Sequence, residues 1–170
     1  MPEVTRPYRS NVRWAFLSRR EEIPDSDDPT EVYLRRWRLF QTPLFAFYFH
    51  QIFLPDRGRD LHDHPAPFVS LILRGGYTEE VVRYSGKPGD RGRRGYTTRH
   101  GYSLPVGRRL KRTHRFGHVN VIRRQSAHRI VSFTGKAPVW SFVFVGRRDP
   151  AGWGFWTPQG FINSRDYHDG

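Results

Sequence analysis

Two histidines stand one residue apart in "DLHDHPAPFVSLILRGGY", residues 60–77, in a chain that has only 8 histidines in all. Side chains alternate between the faces of an extended strand, so His62 and His64 project the same way, about 7 Å apart along the chain. Two imidazoles so placed can grip one metal ion. The bland alternative is a pair of polar residues at a strand end, satisfied by water. The rest of the sequence has to decide between the two.

Those ligands need a frame. Helical periodicity is weak throughout the 170 residues. Short β-branched and aromatic runs recur between turn signals, which predicts one all-β domain, a sandwich or barrel. Strands are expected near Arg36–Phe40 and Leu44–Leu54, divided by Pro43. Others are expected over Asp60–Leu73 (with a break at Pro65–Pro67), in "TEEVVRY", and in "VNVIRR", "HRIVSF" and "PVWSFVFVG". In the last of these, Trp140, Phe142 and Phe144 alternate with Val139, Ser141, Val143 and Val145, so one row lines the interior. With aromatics at 15% of the chain, the core is expected to rest on a few large side chains.

The residue set "HDHPAPFVSLILRGG" resembles the first motif of the cupin superfamily, a His-x-His pair followed by a carboxylate and then a glycine. His128 matches the histidine of the second cupin motif. The likeness covers roughly residues 40–146. It implies a cupin-type double-stranded β-helix, a jelly-roll barrel, with His62, His64 and His128 as metal ligands. It also implies a homodimer. The glutamate of the family motif falls here on Phe68 or Val69, which leaves a three-histidine set. Three neutral imidazoles suit one divalent transition metal, Fe(II) first, with Zn, Ni or Cu as alternatives. A three-histidine iron site in a cupin is similar to that of thiol dioxygenases. The resulting expectation is a non-haem Fe(II) oxygenase-type enzyme acting on a small or nucleotide-like substrate. Ser70, which shares the parity of the two histidines, and Tyr77, after the double glycine, are candidates to orient substrate or O₂.

The remaining histidines read as less chemical. His100, His114 and His118 fall in or beside a basic stretch and are expected to be solvated, and His50 is a core or rim histidine. Arg129 should point away from the face that carries His128.

The net charge of +13 is unevenly spread. Ser85–His118 holds ten Lys or Arg against the single Asp90, and Glu21–Glu31 holds six acids and no base. Arginines interleaved with Gly, Tyr and His suit phosphate contact and base stacking. Arg91, Arg93, Arg94, Arg99, Arg108, Arg109, Lys111 and Arg112 are therefore candidates for nucleic-acid binding. Pairing of this stretch with the chain's own acidic run is the competing use. The alternative function is thus a non-catalytic cupin-fold binding module.

The expected organisation is an N-terminal arm (1–30), a barrel (31–150) with a basic Gly/Arg-rich insertion at 85–118, and an aromatic segment (151–170) covering one mouth. Cysteine is absent, so disulfides, thiolate metal sites and a cysteine nucleophile are excluded. No apolar stretch is long enough to span a membrane, and the N-terminus lacks the pattern of a signal peptide. The expectation is a cytoplasmic protein with no membrane partner.

Overall fold

The computed structural model describes residues 15–16, 20–25, 28–58, 60–83, 109–123, 126–148, 153–157 and 160–167. Among them there are thirteen strands and no helix, so none is long and apolar enough to cross a membrane. The central eight are β4 (Ala46–Ile52), β5 (Leu61–His62), β6 (Phe68–Arg74), β7 (Gly76–Arg83), β8 (Leu110–Arg115), β9 (Val119–Ile122), β10 (Ser126–Phe133) and β11 (Val139–Val145). β4 pairs with β11, β5 with β10, β6 with β9 and β7 with β8. The chain thus forms one long antiparallel hairpin, with β7 and β8 flanking its tip, rolled into two sheets. The strand orders β4-β11-β6-β9 and β5-β10-β7-β8 are those of a jelly roll.

Flanking strands extend each sheet. β1 (Ala15–Phe16), β2 (Glu21–Pro24) and β3 (Val32–Gln41) lengthen the first, and β12 (Gly154–Thr157) and β13 (Gly160–Asn163) lengthen the second. The two sheets face each other without being joined edge to edge into a closed barrel, which corrects the expectation of a barrel in the strict sense. The run over residues 60–73 is broken at Pro65–Pro67, and its halves go to different sheets. Proline cannot donate to a ladder, so this is where the chain can leave one sheet for the other.

In β11 the inward row is Val139, Ser141 and Val143, all buried. Trp140, Phe142 and Phe144 face outward, so the aromatics that promised a core instead line the outer surface of the first sheet. The core proper is three clusters. Ile52, Ile72, Tyr77, Ile130 and Val139 form one, Leu61, Val82, Ala127, Trp156 and Phe161 a second, and Ala46, Tyr48 and Val143 the third.

The double glycine has a local cause. Gly75 has φ of 73°, a conformation that favours glycine. A Cβ on Gly76 would lie 2.4 Å from the His114 carbonyl oxygen, so strand β8 can approach only because no side chain is there.

The acidic run is part of the first sheet's edge. Glu21 bonds Arg36 and Arg38 (both 2.6 Å), and Glu22 bonds Arg35 at 2.9 Å. Asp25 and Glu31 both pair with Arg57. Among the described residues these acids therefore serve β3 and Arg57 rather than the basic stretch. Residues 110–118, expected within the insertion, form strand β8 and the turn into β9. Arg91, Arg93, Arg94, Arg99 and Arg108, with His100, lie outside the described residues. Arg109 and Lys111 are exposed, each 3.9 Å from Glu80.

Candidate metal centre

Strand pairing is what assembles the site. His62, the last residue of β5, sits directly opposite His128 of β10. His64 lies just past the end of β5 rather than on it, before the proline break. The three rings form a nearly equilateral triangle, with centroids 5.1 Å (His62–His64), 4.9 Å (His62–His128) and 5.0 Å (His64–His128) apart. One nitrogen from each lies within 4.8 Å of the others. His64 Nε2 and His128 Nε2 approach to 2.7 Å. Such a contact needs a shared proton, or a shared cation in its place.

The tautomers suit ligation. His128 Nδ1 lies 2.8 Å from Glu79 Oε2, so the carboxylate fixes the ring proton on Nδ1 and leaves the Nε2 lone pair facing His64. Burial pushes the His62 pKa down to about 4, opposed by Asp56 and aided by His128. Burial, then the charges of His128 and His62, holds His64 well below the ordinary histidine value. Neutral imidazoles are what a divalent cation requires. Among the described residues the donor set is three nitrogens, which fits one transition metal.

Behind His128 lies a buried polar network that the sequence reading missed. Glu79 is completely buried, and its other oxygen is 3.0 Å from His114 Nε2. Asn120 Nδ2 donates to Glu79 at 3.2 Å and to the Tyr77 hydroxyl at 3.0 Å. Burial alone would raise the Glu79 pKa, but the bonds from His114 and His128 and their charges more than offset it, holding it near 2. His114, expected to be solvated in a loop, is instead buried in this network, because it belongs to β8 and faces inward. A signal was available: in "YTEEVVR", Glu79 shares the parity of Tyr77 and Val81, which marks a carboxylate on the apolar face. His118 is exposed, as expected.

Ser70 and Tyr77 are both buried and face the interior. Tyr77 connects to His128 through Asn120 and Glu79. Burial, then Glu79, pushes its pKa up to about 12, so the phenol stays protonated. Among the described residues, Asn120 Oδ1 is buried with no hydrogen-bond partner, while Ser70 faces the Tyr77 hydroxyl. Arg129 points to the opposite face, where it bonds Glu80 at 3.0 Å.

The C-terminal hairpin supplies a wall. β12 pairs with β5, and Asp63, buried between the two histidines in sequence, accepts from Gly154 N at 2.9 Å. This bond holds the hairpin against the site. Phe155 lies 5.9 Å from His62, Trp153 stacks 6.4 Å from His64, and Phe68 meets His64 edge-on at 4.8 Å.

His50, inward on β4, is the other histidine of the interior. Burial and then Arg36 push its pKa down to about 3. It is therefore neutral when folded but would take up a proton below 6.5 when unfolded. The unfolded chain gains protons as pH falls from 6.5 toward 3, so stability is lost across that window, by up to about 1.4 kcal/mol per pH unit for this one group. His50→Gln should flatten the pH dependence of the urea midpoint relative to the native chain. Superimposable profiles would show that His50 is not the protonating group.

No family model matches the sequence, and no match is found among curated proteins. Solved structures do match. FeII HppE is 9% identical over 79% of this chain, with a TM-score of 0.49, and this chain spans only 60% of its length. KdgF from Halomonas sp. is 11% identical over 81% of this chain and 98% of its own, with a TM-score of 0.48. An RmlC-like cupin from Shewanella frigidimarina is 11% identical over 76% of this chain and 83% of its own, with a TM-score of 0.43. These are likenesses of fold. The jelly-roll pairing, with a His-x-His at the end of β5 and a third imidazole opposite it on β10, is the arrangement that the resemblance to the cupin superfamily implied.

Proposed function

We propose that the protein is a metal-dependent cupin enzyme of the non-haem Fe(II) oxygenase type, acting on a small or nucleotide-like substrate. The observation that carries this reading is the triangle of His62, His64 and His128, a cluster that holds no carboxylate among the described residues. Three nitrogen donors leave coordination positions free, and Fe(II) bound there would supply the redox chemistry that lets O₂ react with an organic substrate. Glu79 keeps the His128 ring in its ligating tautomer. Trp153, Phe155 and Phe68 provide an apolar wall that would exclude water beside the three rings and pack a planar or apolar part of the substrate. Ser70 and Tyr77 would orient substrate or O₂ from the interior side.

The test is elemental analysis of protein purified without a tag, then anaerobic Fe(II) loading and nitric oxide as a probe for O₂. About one iron per chain and a paramagnetic nitric oxide signal are expected. Stoichiometric zinc that iron cannot replace would turn the reading toward hydrolysis. Near-zero metal together with salt-sensitive binding of RNA or DNA would end it in favour of a binding module. Exposed Lys111 and Arg115 on β8 make that second outcome worth measuring.

A further inference from the structure

The inward rows of the first sheet begin with cations at one side and end in the network behind His128 at the other. One cross-strand row is Glu21, Arg36, His50, Ser141 and Ile72. The next is Arg38, Tyr48, Val143, Ser70 and Asn120. Tyr48, Ser141, Val143 and Asn120 are buried, which marks these rows as interior. Two arginines on that side of a sheet call for a physical reason, since a guanidinium there is costly unless it is paired. Glu21 supplies one carboxylate to both, accepting from Arg36 Nε and from Arg38 Nη2 at 2.6 Å each. Two cations against one anion leave a positive charge over. Among the described residues, Arg38 Nε is buried with no hydrogen-bond partner. Beside it, the Arg36 guanidinium lies over the Tyr48 ring at 5.5 Å, and Arg148 donates to the Tyr48 hydroxyl at 3.3 Å.

We propose that Arg36 and Arg38 form the site for an anionic group of the substrate, a carboxylate or a phosphate, and that Glu21 fills this site until the substrate displaces it. The proposal rests on reading the histidine triangle as an enzyme's centre, and it narrows the substrate to an organic acid or a phosphate ester. Guanidinium forks match both oxyanions in shape and charge. Glu21 itself demonstrates the fit, because its carboxylate already bridges the two arginines. It comes from β2, a strand of four residues paired to β3. The cluster is also open to solvent, with side-chain exposures of 36% for Glu21, 31% for Arg36 and 24% for Arg38. Exchanging one carboxylate for another in so open a place costs little.

The site and the three rings share one interior. After burial, Arg36 is the next influence on the His50 pKa. His50 in turn acts on His64, after burial, His128 and His62. Facing sheets stand about 10 Å apart, so a small molecule anchored on the arginines can extend to the triangle. Trp153, 6.2 Å from His62 and stacked 6.4 Å from His64, would pack its apolar part. The net charge of +13 adds a general attraction for acids.

Calorimetric titration of the full chain with benzoate and with phenyl phosphate tests the proposal, and the tighter of the two identifies the acid. Binding should weaken about 10–100-fold in Arg38→Gln, the loss of hydrogen bonds to a charged group. It should tighten about fivefold in Glu21→Gln, which frees both arginines from their resident carboxylate. Should Arg38→Gln fail to fold by circular dichroism, Arg38→Lys, which keeps the charge but lacks Nε, should weaken binding about tenfold. Binding should also survive treatment of the native chain with a chelator, because the arginines and not a metal hold the acid. The proposal is overturned if neither acid binds at about 10 mM, a concentration that reveals even weak sites. Equal affinity in the Arg38 variant, no gain in Glu21→Gln, or loss of binding on chelation overturns it too. None of these readouts uses iron content or the nitric oxide signal, so this site and the iron reading stand or fall separately.

Discussion

Replacing His128 by alanine is expected to reduce the bound transition metal from about one per chain to a trace, and His62→Ala should do the same. Each ring supplies one of three nitrogens within 4.8 Å, and two imidazoles alone hold a divalent ion far more weakly than three. The two variants differ in what else they disturb. His128 is buried and bonded to Glu79, so its loss leaves the carboxylate with a missing partner, at a cost of about 1–3 kcal/mol. His62 is only half buried, and its backbone pairing with β10 and β12 survives the substitution. A metal-free but well-folded His62→Ala protein is therefore the cleaner outcome. Arg129→Ala is the control, because that side chain leaves the same strand on the other face and bonds Glu80. It should keep its metal. Native-level metal in both histidine variants would dissolve the proposed centre.

Glu79→Gln should cost about 10–100-fold in metal affinity while leaving the fold intact. Gln is nearly the same size, but an amide has one acceptor and one donor where the carboxylate has two acceptors. Glu79 serves His128 with one oxygen and His114 with the other. If the amide NH₂ faces His128, that ring must move its proton to Nε2, the atom needed for the metal. If it faces His114, that ring changes tautomer instead and His128 keeps a weaker, uncharged acceptor. Competition against a chelator of known affinity measures the loss. Glu79→Leu goes further, since Asn120 and both histidines then lack their acceptor in a buried site, and about 3 kcal/mol of stability should go with it. Unaltered metal affinity in Glu79→Gln would reduce the carboxylate to a packing role.

Much of the site was legible before any coordinates. A His-x-His spacing at the head of an apolar run states its own geometry, while His128 entered through the resemblance to the second cupin motif. Alternation along the strand also puts Arg129 on the face opposite His128, where it bonds Glu80. In "YTEEVVR" the same alternation puts Glu79 on the buried side with Tyr77 and Val81, and Glu80 on the side of Arg129. His114 was harder to see. Its neighbours Lys111, Arg112 and Arg115 look like a loop, because the outward row of an edge strand carries solvated cations such as Lys111 and Arg115. Nor did composition show where the aromatics go. Trp140, Phe142 and Phe144 alternate as regularly as the valines between them, and periodicity reports that two faces differ without saying which is inside.

Taken alone, the chain's residues determined its class, its lack of thiol chemistry, and a His62–His64 pair on one face of the chain. Those properties follow from residue type and from a repeat of two along a strand, both of which are local. Convergence was decided only by the rolled hairpin. Pairing β5 with β10 sets His62 opposite His128, and pairing β10 with β7 on its other side brings Glu79 behind the same ring. The separation of these residues along the chain carries no trace of that arrangement, because register between distant strands is set by burying two sheets against each other.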